Sequence, residues 1–117
     1  MRAQDEGRLF SAERSEDAIV VHFARPAASL DESHAQSLGE FLSRLIDGGG
    51  PGLLTVDLGN VTYLSSLALG VFVGLHRRLK ARGGQLTLRN LRPLTYEIFD
   101  VMRLTQVLDV QRQEGSG

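Results

Sequence analysis

Cysteine is absent from the 117 residues, which excludes disulfides and thiolate zinc sites. No stretch approaches the roughly 20 consecutive apolar residues of a membrane-spanning helix. The opening "MRAQDEGRLFSAERSED" is charged from the start and has no apolar core of a secretory signal, so a cytoplasmic protein with no membrane insertion is expected. Histidine is scarce as well. His22, His34 and His76 are scattered, with no metal-site spacing and none close in sequence to Ser65 or Ser66 to act as a base. The glycine runs "GGGPG" (48–52) and "RGG" (82–84) lack the Gly-Lys-Ser/Thr ending of a phosphate-binding loop and read as helix stops. No catalytic residue, metal site or cofactor is therefore assigned, and the chain is not read as an enzyme.

A strong charge of one sign is also missing, the formal net charge being −1. The distribution is uneven: residues 1–60 hold ten acids and five Lys/Arg, residues 61–117 four acids and eight Lys/Arg. The basic excess gathers in "RRLKAR" (77–82). It is read as the carboxyl end of a helix, where cations suit the dipole, and not as a direct nucleic-acid surface.

What is present is the composition of one globular domain, 42% hydrophobic and 23% charged, long enough to bury a core without cross-links. Two β-like runs, Leu9–Glu13 and Ala18–Phe23, flank a polar "RSED" and predict an antiparallel hairpin. Leu38, Phe41, Leu42 and Leu45 recur at helical spacing within Leu30–Ile46, and Ser29 with Glu32 reads as a capping box. "GGGPG" ends that helix, glycine serving as a left-handed cap. "LLTVDL" (53–58) is almost continuously apolar, as expected of a central strand. Asp57, near its carboxyl end, is read as an acceptor of backbone hydrogen bonds in the next loop.

A second helix is predicted from Ser65 or Ser66 to Arg82, with Ala68, Phe72, Leu75 and Leu79 inward. "QLTLRNL" (85–91) is strand-like, "RPLTYEIFDVMRL" (92–104) a short helix with Pro93 in its first turn, and "QVLDV" (106–110) a last strand. Phe99 and Met102 are expected in the core, and Tyr96 on the surface as a candidate partner contact. The result is an α/β single domain, a mixed, mostly parallel sheet with an N-terminal antiparallel hairpin and helices packed on it, in the order β-β-α-β-α-β-α-β. Residues 1–7 are expected to be a flexible N-terminus, 8–111 the domain, and 112–117 a disordered tail.

The stretch "VTYLSSLALGVF" (61–72) sets two serines between a β-like run and a helix-like one. Ser65 suits an N-cap, its hydroxyl accepting a first-turn N–H. Ser66 falls in the first turn, at the positive end of the helix dipole, where a phosphate is well received. At 100° per residue, Ser66 shares a face with Gly70, Val73, Gly74 and Arg77, opposite the apolar stripe. A glycine inside a helix costs roughly 1 kcal/mol relative to alanine, so two of them four apart suggest close approach of another backbone, from within the fold or from a partner.

The segment "LLTVDLGNVTYLSSLALGVFVGLHRRLKARGGQLTLRNLRP", residues 53–93, resembles the STAS domain of bacterial anti-sigma-factor antagonists. "LDESHAQSL" resembles the opening of that family's first helix. The resemblance implies a phosphorylation site at Ser66, with Ser65 the alternative, and a partner that is an anti-sigma factor with ATP-dependent serine kinase activity, reversed by a possible phosphatase. It implies docking through Ser65, Ser66, Leu67, Gly70, Val73, Gly74 and Arg77. The family's aspartate before the phosphoserine is Ser65 here, its second serine is Leu67 and its glycine is Ala68. A non-phosphorylated STAS subunit of a larger signalling assembly or a membrane transport system is the alternative.

Overall fold

The structure is a computed structural model and describes residues 9–24, 28–48 and 52–114. The expected flexible segment 1–7 and the end of the expected tail, 115–117, lie outside the described residues. Strands β1 (Phe10–Ser15) and β2 (Ala18–Phe23) form the predicted hairpin, Ser15 opposite Ala18. Its loop is Glu16-Asp17, with Glu16 at φ 32°, the positive φ that two-residue hairpins use to match strand twist. The Asp17 carboxylate accepts the Gly52 N–H at 2.8 Å, and a Cβ on Gly52 would lie 2.1 Å from that carboxylate. A side chain at 52 would displace the Asp17 carboxylate and with it that bond.

Strand β3 (Ala28–Leu30) leads into α1 (Glu32–Asp47), then β4 (Leu53–Asp57) and β5 (Val61–Leu64). Helix α2 (Ser66–Ala81), β6 (Gln85–Leu91), α3 (Pro93–Val101), a 3-10 turn at Leu104–Gln106 and β7 (Asp109–Arg112) complete the chain. The main sheet runs β1-β2-β4-β6-β7, with β2, β4, β6 and β7 parallel and the hairpin supplying the antiparallel edge. Each parallel crossover advances one strand in the same direction. Because such crossovers are right-handed, all three helices fall on one face. Ile19, Val21, Leu54, Val56, Leu86 and Leu88 on that face join the helices in a single core, while Glu13, Thr55, Asp57 and Arg89 point to the open side and are partly or fully exposed.

Several expectations are corrected. The expected order omitted the pair β3-β5, a second, two-stranded parallel sheet in which Ser29 faces Tyr63. Because residues 28–30 are extended in that pairing, the first helix starts later. Its N-cap is Asp31, which accepts the His34 N–H at 3.0 Å, and not Ser29. The Gly48 N–H closes the last turn of α1 on Arg44 O at 3.2 Å; residues 49–51, where the expected left-handed cap would fall, lie outside the described residues, and α2 ends on such a cap at Gly83, φ 80°. The last strand begins at Asp109, residues 104–106 being a 3-10 turn, and it reaches Arg112; the Gln113 N–H donates to Leu91 O at 2.9 Å. The order therefore extends past the boundary expected at 111.

Phe99 is fully buried against Phe72, ring centroids 6.3 Å apart, but Met102 is 59% exposed and not in the core. Tyr96 is half-buried, with the Arg112 guanidinium 5.0 Å over its ring, so it is a covered contact and not a free one. Among the described residues no helix is long and apolar enough to cross a membrane.

Candidate functional site

The amino end of α2 is built by β5, whose Leu64 is buried and whose chain continues into Ser65. The Ser65 N–H donates to Leu30 O at 2.9 Å, fastening the start of the helix to β3. With φ −80° and ψ 165°, Ser65 is the N-cap: its Oγ accepts the Ala68 N–H at 3.2 Å and its carbonyl accepts the Leu69 N–H. Ser65 is 2% exposed. Of the two serines expected as phosphorylation and contact positions, Ser65 is thus the buried cap.

Ser66 is different. It is exposed in the first turn, and no acidic residue shares that turn. Helix geometry leaves the first-turn N–H groups not taken by the cap without intrahelical acceptors. An anion at Ser66 therefore meets the positive end of a 16-residue helix and no like charge from its own turn.

Along the outer face, Gly70, Gly74 and Arg77 are exposed, Val73 is half-buried, and Leu67 is 44% exposed. The opposite stripe of Ala68, Phe72, Leu75 and Leu79 is buried as predicted. A Cβ built on Gly70 or Gly74 meets nothing within 4 Å. Among the described residues no part of the fold presses on these two glycines, so packing within the fold does not account for them.

The structure adds a wall that sequence reasoning missed. A groove of about 530 Å³ runs between α1 and α2, lined by Leu67, Gly70 and Gly74 on one side and by Gln36, Gly39 and Glu40 on the other. At Gly39 the helices lie close, a Cβ there falling in ordinary van der Waals contact with Val71 at 3.4 Å. The available signal was that glycine in mid-helix, "QSLGEFL", which costs helix stability unless something packs against it. The basic run "RRLKAR" is put largely to internal use: Arg78 bonds Ser43 Oγ at 2.9 Å and pairs with Asp47, and Arg82 donates to Ile46 O at 2.8 Å, at the carboxyl end of α1.

Asp57 also has a structural role. Its Oδ1 accepts the Gly59 N–H at 2.9 Å and the Asn90 side chain at 3.2 Å, while Arg89 Nε lies 3.5 Å from Oδ2. His22 stands 3.9 Å from both Asp57 and Glu13. Among the described residues no three His, Asp or Glu side chains gather as a metal site would require.

The fold is a one-sided α/β sheet whose second helix starts at an exposed serine and carries an open glycine face. This chain belongs to the STAS domain family: the family model described as "Mlab, STAS domain" matches residues 12–109. The anti-sigma-B factor antagonist of Bacillus subtilis (strain 168) is 33% identical over 104 residues, covering 89% of this chain and 91% of that protein. The fold is shared with an anti-sigma factor antagonist from Mycobacterium paratuberculosis, TM-score 0.73 at 18% identity over 88% of this chain and 84% of that one. It is shared also with the anti-sigma factor antagonist SpoIIAA in its unphosphorylated form, TM-score 0.68 at 19% identity over 89% and 87% of the two chains.

Proposed function

We propose that this protein is an anti-sigma-factor antagonist, a binding module that docks an anti-sigma factor and so takes part in partner switching and the regulation of transcription. The observation that carries the reading is the exposed Ser66 at the head of an open glycine face, in a chain that aligns along most of its length with an anti-sigma-B factor antagonist. The partner is an anti-sigma factor with ATP-dependent serine kinase activity. It covers Ser66, Leu67, Gly70, Val73, Gly74 and Arg77, and its backbone comes close where the two glycines have no side chains. The antagonist itself performs no catalysis and needs no cofactor.

The kinase modifies Ser66 and a phosphatase reverses it. A phosphoserine adds close to two negative charges and three acceptor oxygens. In the free protein the helix terminus accommodates that charge; in the complex the same charge is taken out of water against the partner, where burial without a matched cation is costly. Modification therefore releases the partner without unfolding the antagonist. Ser65 in place of the family's aspartate retains the cap, since both residue types are good N-caps, and removes a carboxylate that would repel the phosphate.

Incubation with the cognate kinase and ATP is expected to add a single phosphate, located by peptide mapping at Ser66 and abolished by Ser66→Ala. Ser66→Asp is expected to weaken partner binding by at least tenfold, a loss of about 1.4 kcal/mol, with unchanged circular dichroism. An unmodified protein under conditions that phosphorylate a control antagonist would reject the switch and leave the non-phosphorylated subunit reading, which the relatives' names do not favour.

A further inference from the structure

The basic run at 77–82 is only partly used inside the fold. Helix α2 carries no Asp or Glu along Ser66–Ala81. Of the cations in the run, Arg78 is held by Ser43 and Asp47, and Arg82, the C-cap, donates to Ile46 O. Arg77 and Lys80 remain. Both are exposed, and neither side chain makes a hydrogen bond or ion pair with any described residue.

Local structure does not account for this pair. Three residues apart on a helix, the two side chains are neighbours, and like charges so placed lower helix stability. The helix dipole favours cations in the last turn, which includes Lys80 but not Arg77. At about 100° per residue, Arg77 falls in line with Ser66, Gly70 and Val73, and Lys80 lies beside them at the foot of the same face.

Charge and number decide what kind of surface fits. Two cations are far short of the roughly six phosphate contacts of a nucleic-acid site. The adjoining α1 sets Glu40 and Asp47, both exposed, beside them, and these repel a continuous polyanion. Discrete carboxylates on a folded protein can meet the two cations and avoid the acids of α1. Resting on the docking reading above, we infer that the partner presents Asp or Glu side chains to Arg77 and Lys80, and that these two residues select it by charge. Contacts of this kind act mainly through the association rate and are screened by salt. Ser66 lies eleven residues up the helix, roughly 16 Å along its axis and about twice the Debye length at physiological salt. The acidic contact and a charge at Ser66 therefore act independently.

The test measures binding of the purified anti-sigma factor to the full chain at about 50 and about 300 mM salt. Wild type is expected to associate more slowly at the higher salt. The double variant Arg77→Glu/Lys80→Glu is expected to bind about tenfold more weakly at the lower salt and to lose most of the salt dependence, by the same factor in a Ser66→Asp background. Arg14→Glu, an exposed charge reversal on β1, controls for net charge and is expected to bind as wild type does. Gly74→Arg, on the open face, is expected to abolish binding. A double variant that binds as wild type does, or that weakens with its salt dependence unchanged, overturns the acidic contact, and so does equal weakening by Arg14→Glu; the docking reading then stands on the loss in Gly74→Arg. Binding of a short DNA duplex by wild type and not by the double variant also overturns it, assigning the two cations to nucleic acid. Gly74→Arg bound as tightly as wild type overturns the docking reading itself, and with it this inference.

Discussion

At the scale of single residues, two acceptors of backbone N–H groups, Asp31 and Ser65, set the starts of α1 and α2, and they differ in their surroundings. Ser65 is a buried cap, which is why the neighbouring hydroxyl at 66 and not its own is available. Asp31 is a half-buried cap whose carboxyl lies below its ordinary value of 3.8, chiefly because the His34 backbone N–H donates to it, with the His34 ring and Ser33 acting in the same direction. A carboxyl with a lowered folded-state value stabilises the fold while ionised, so its contribution is present above about pH 4 and is lost as the pH falls through the lower folded-state value. Asp31→Asn, which retains a capping oxygen without the charge, is expected to melt below wild type near neutrality and to converge with it toward about pH 2. Thermal melts across that range check it. The place of Ser66 is legible from sequence because a serine just after a capping serine needs no tertiary information; the burial of Ser65, whose N–H bonds Leu30 O of β3, does need it.

At the scale of elements, α2 shows a conflict between stability and use. Gly70 sits inside a helix with open space where a Cβ would go, so nothing in the free protein requires glycine there. Gly70→Ala is expected to stabilise the isolated protein by about 0.5–1 kcal/mol and, under the docking proposed above, to weaken the anti-sigma factor complex, the added methyl standing where that proposal brings the partner's backbone. Denaturant unfolding and a binding titration on the same two proteins check the opposite signs. A loss of stability in Gly70→Ala would mean that the helix face is not open in solution. The short pair β3-β5 was the element least visible in the sequence. Three or four residues are too few for an alternating pattern to register, and in β5 both Thr62 and Tyr63 are exposed while Val61 and Leu64 are buried. The pairing becomes apparent only once α1 and α2 are seated and the two segments lie side by side.

At the scale of the molecule, the sheet is covered on one side only, and a single core must hold every element. Phe72 of α2 and Phe99 of α3 meet in it, both fully buried, and Phe10 of the hairpin packs edge-on to Phe23 at 5.3 Å and against Phe41 of α1 at 5.6 Å. Removing a large ring from such a site costs about 3–5 kcal/mol, a large share of the 5–15 kcal/mol typical of a domain. Phe99→Ala is therefore expected to lower the unfolding free energy by about that amount in one cooperative transition seen alike by circular dichroism and fluorescence. A variant that loosened α3 alone, with the rest of the core intact, would show that the third helix is not part of the same unit.

The sequence by itself determined the hairpin, the central strand, the inward stripe of α2 and the place of Ser66 at its head, because each depends on spacing along the chain: period two, period 3.6 or the chemistry of a cap. It could not decide the far side of any element. Whether glycines 70 and 74 met the fold or open solvent, which apolar stripe of α3 faced the core, and where Asp31 displaced Ser29 as cap were all settled by which neighbour arrived. Met102 is the plainest case. It is apolar and near the end of a helix, and it was expected inside; Phe99 and Thr95 occupy the inward positions instead, and a helix of nine residues with two apolar faces can bury only one of them against a single-sided sheet.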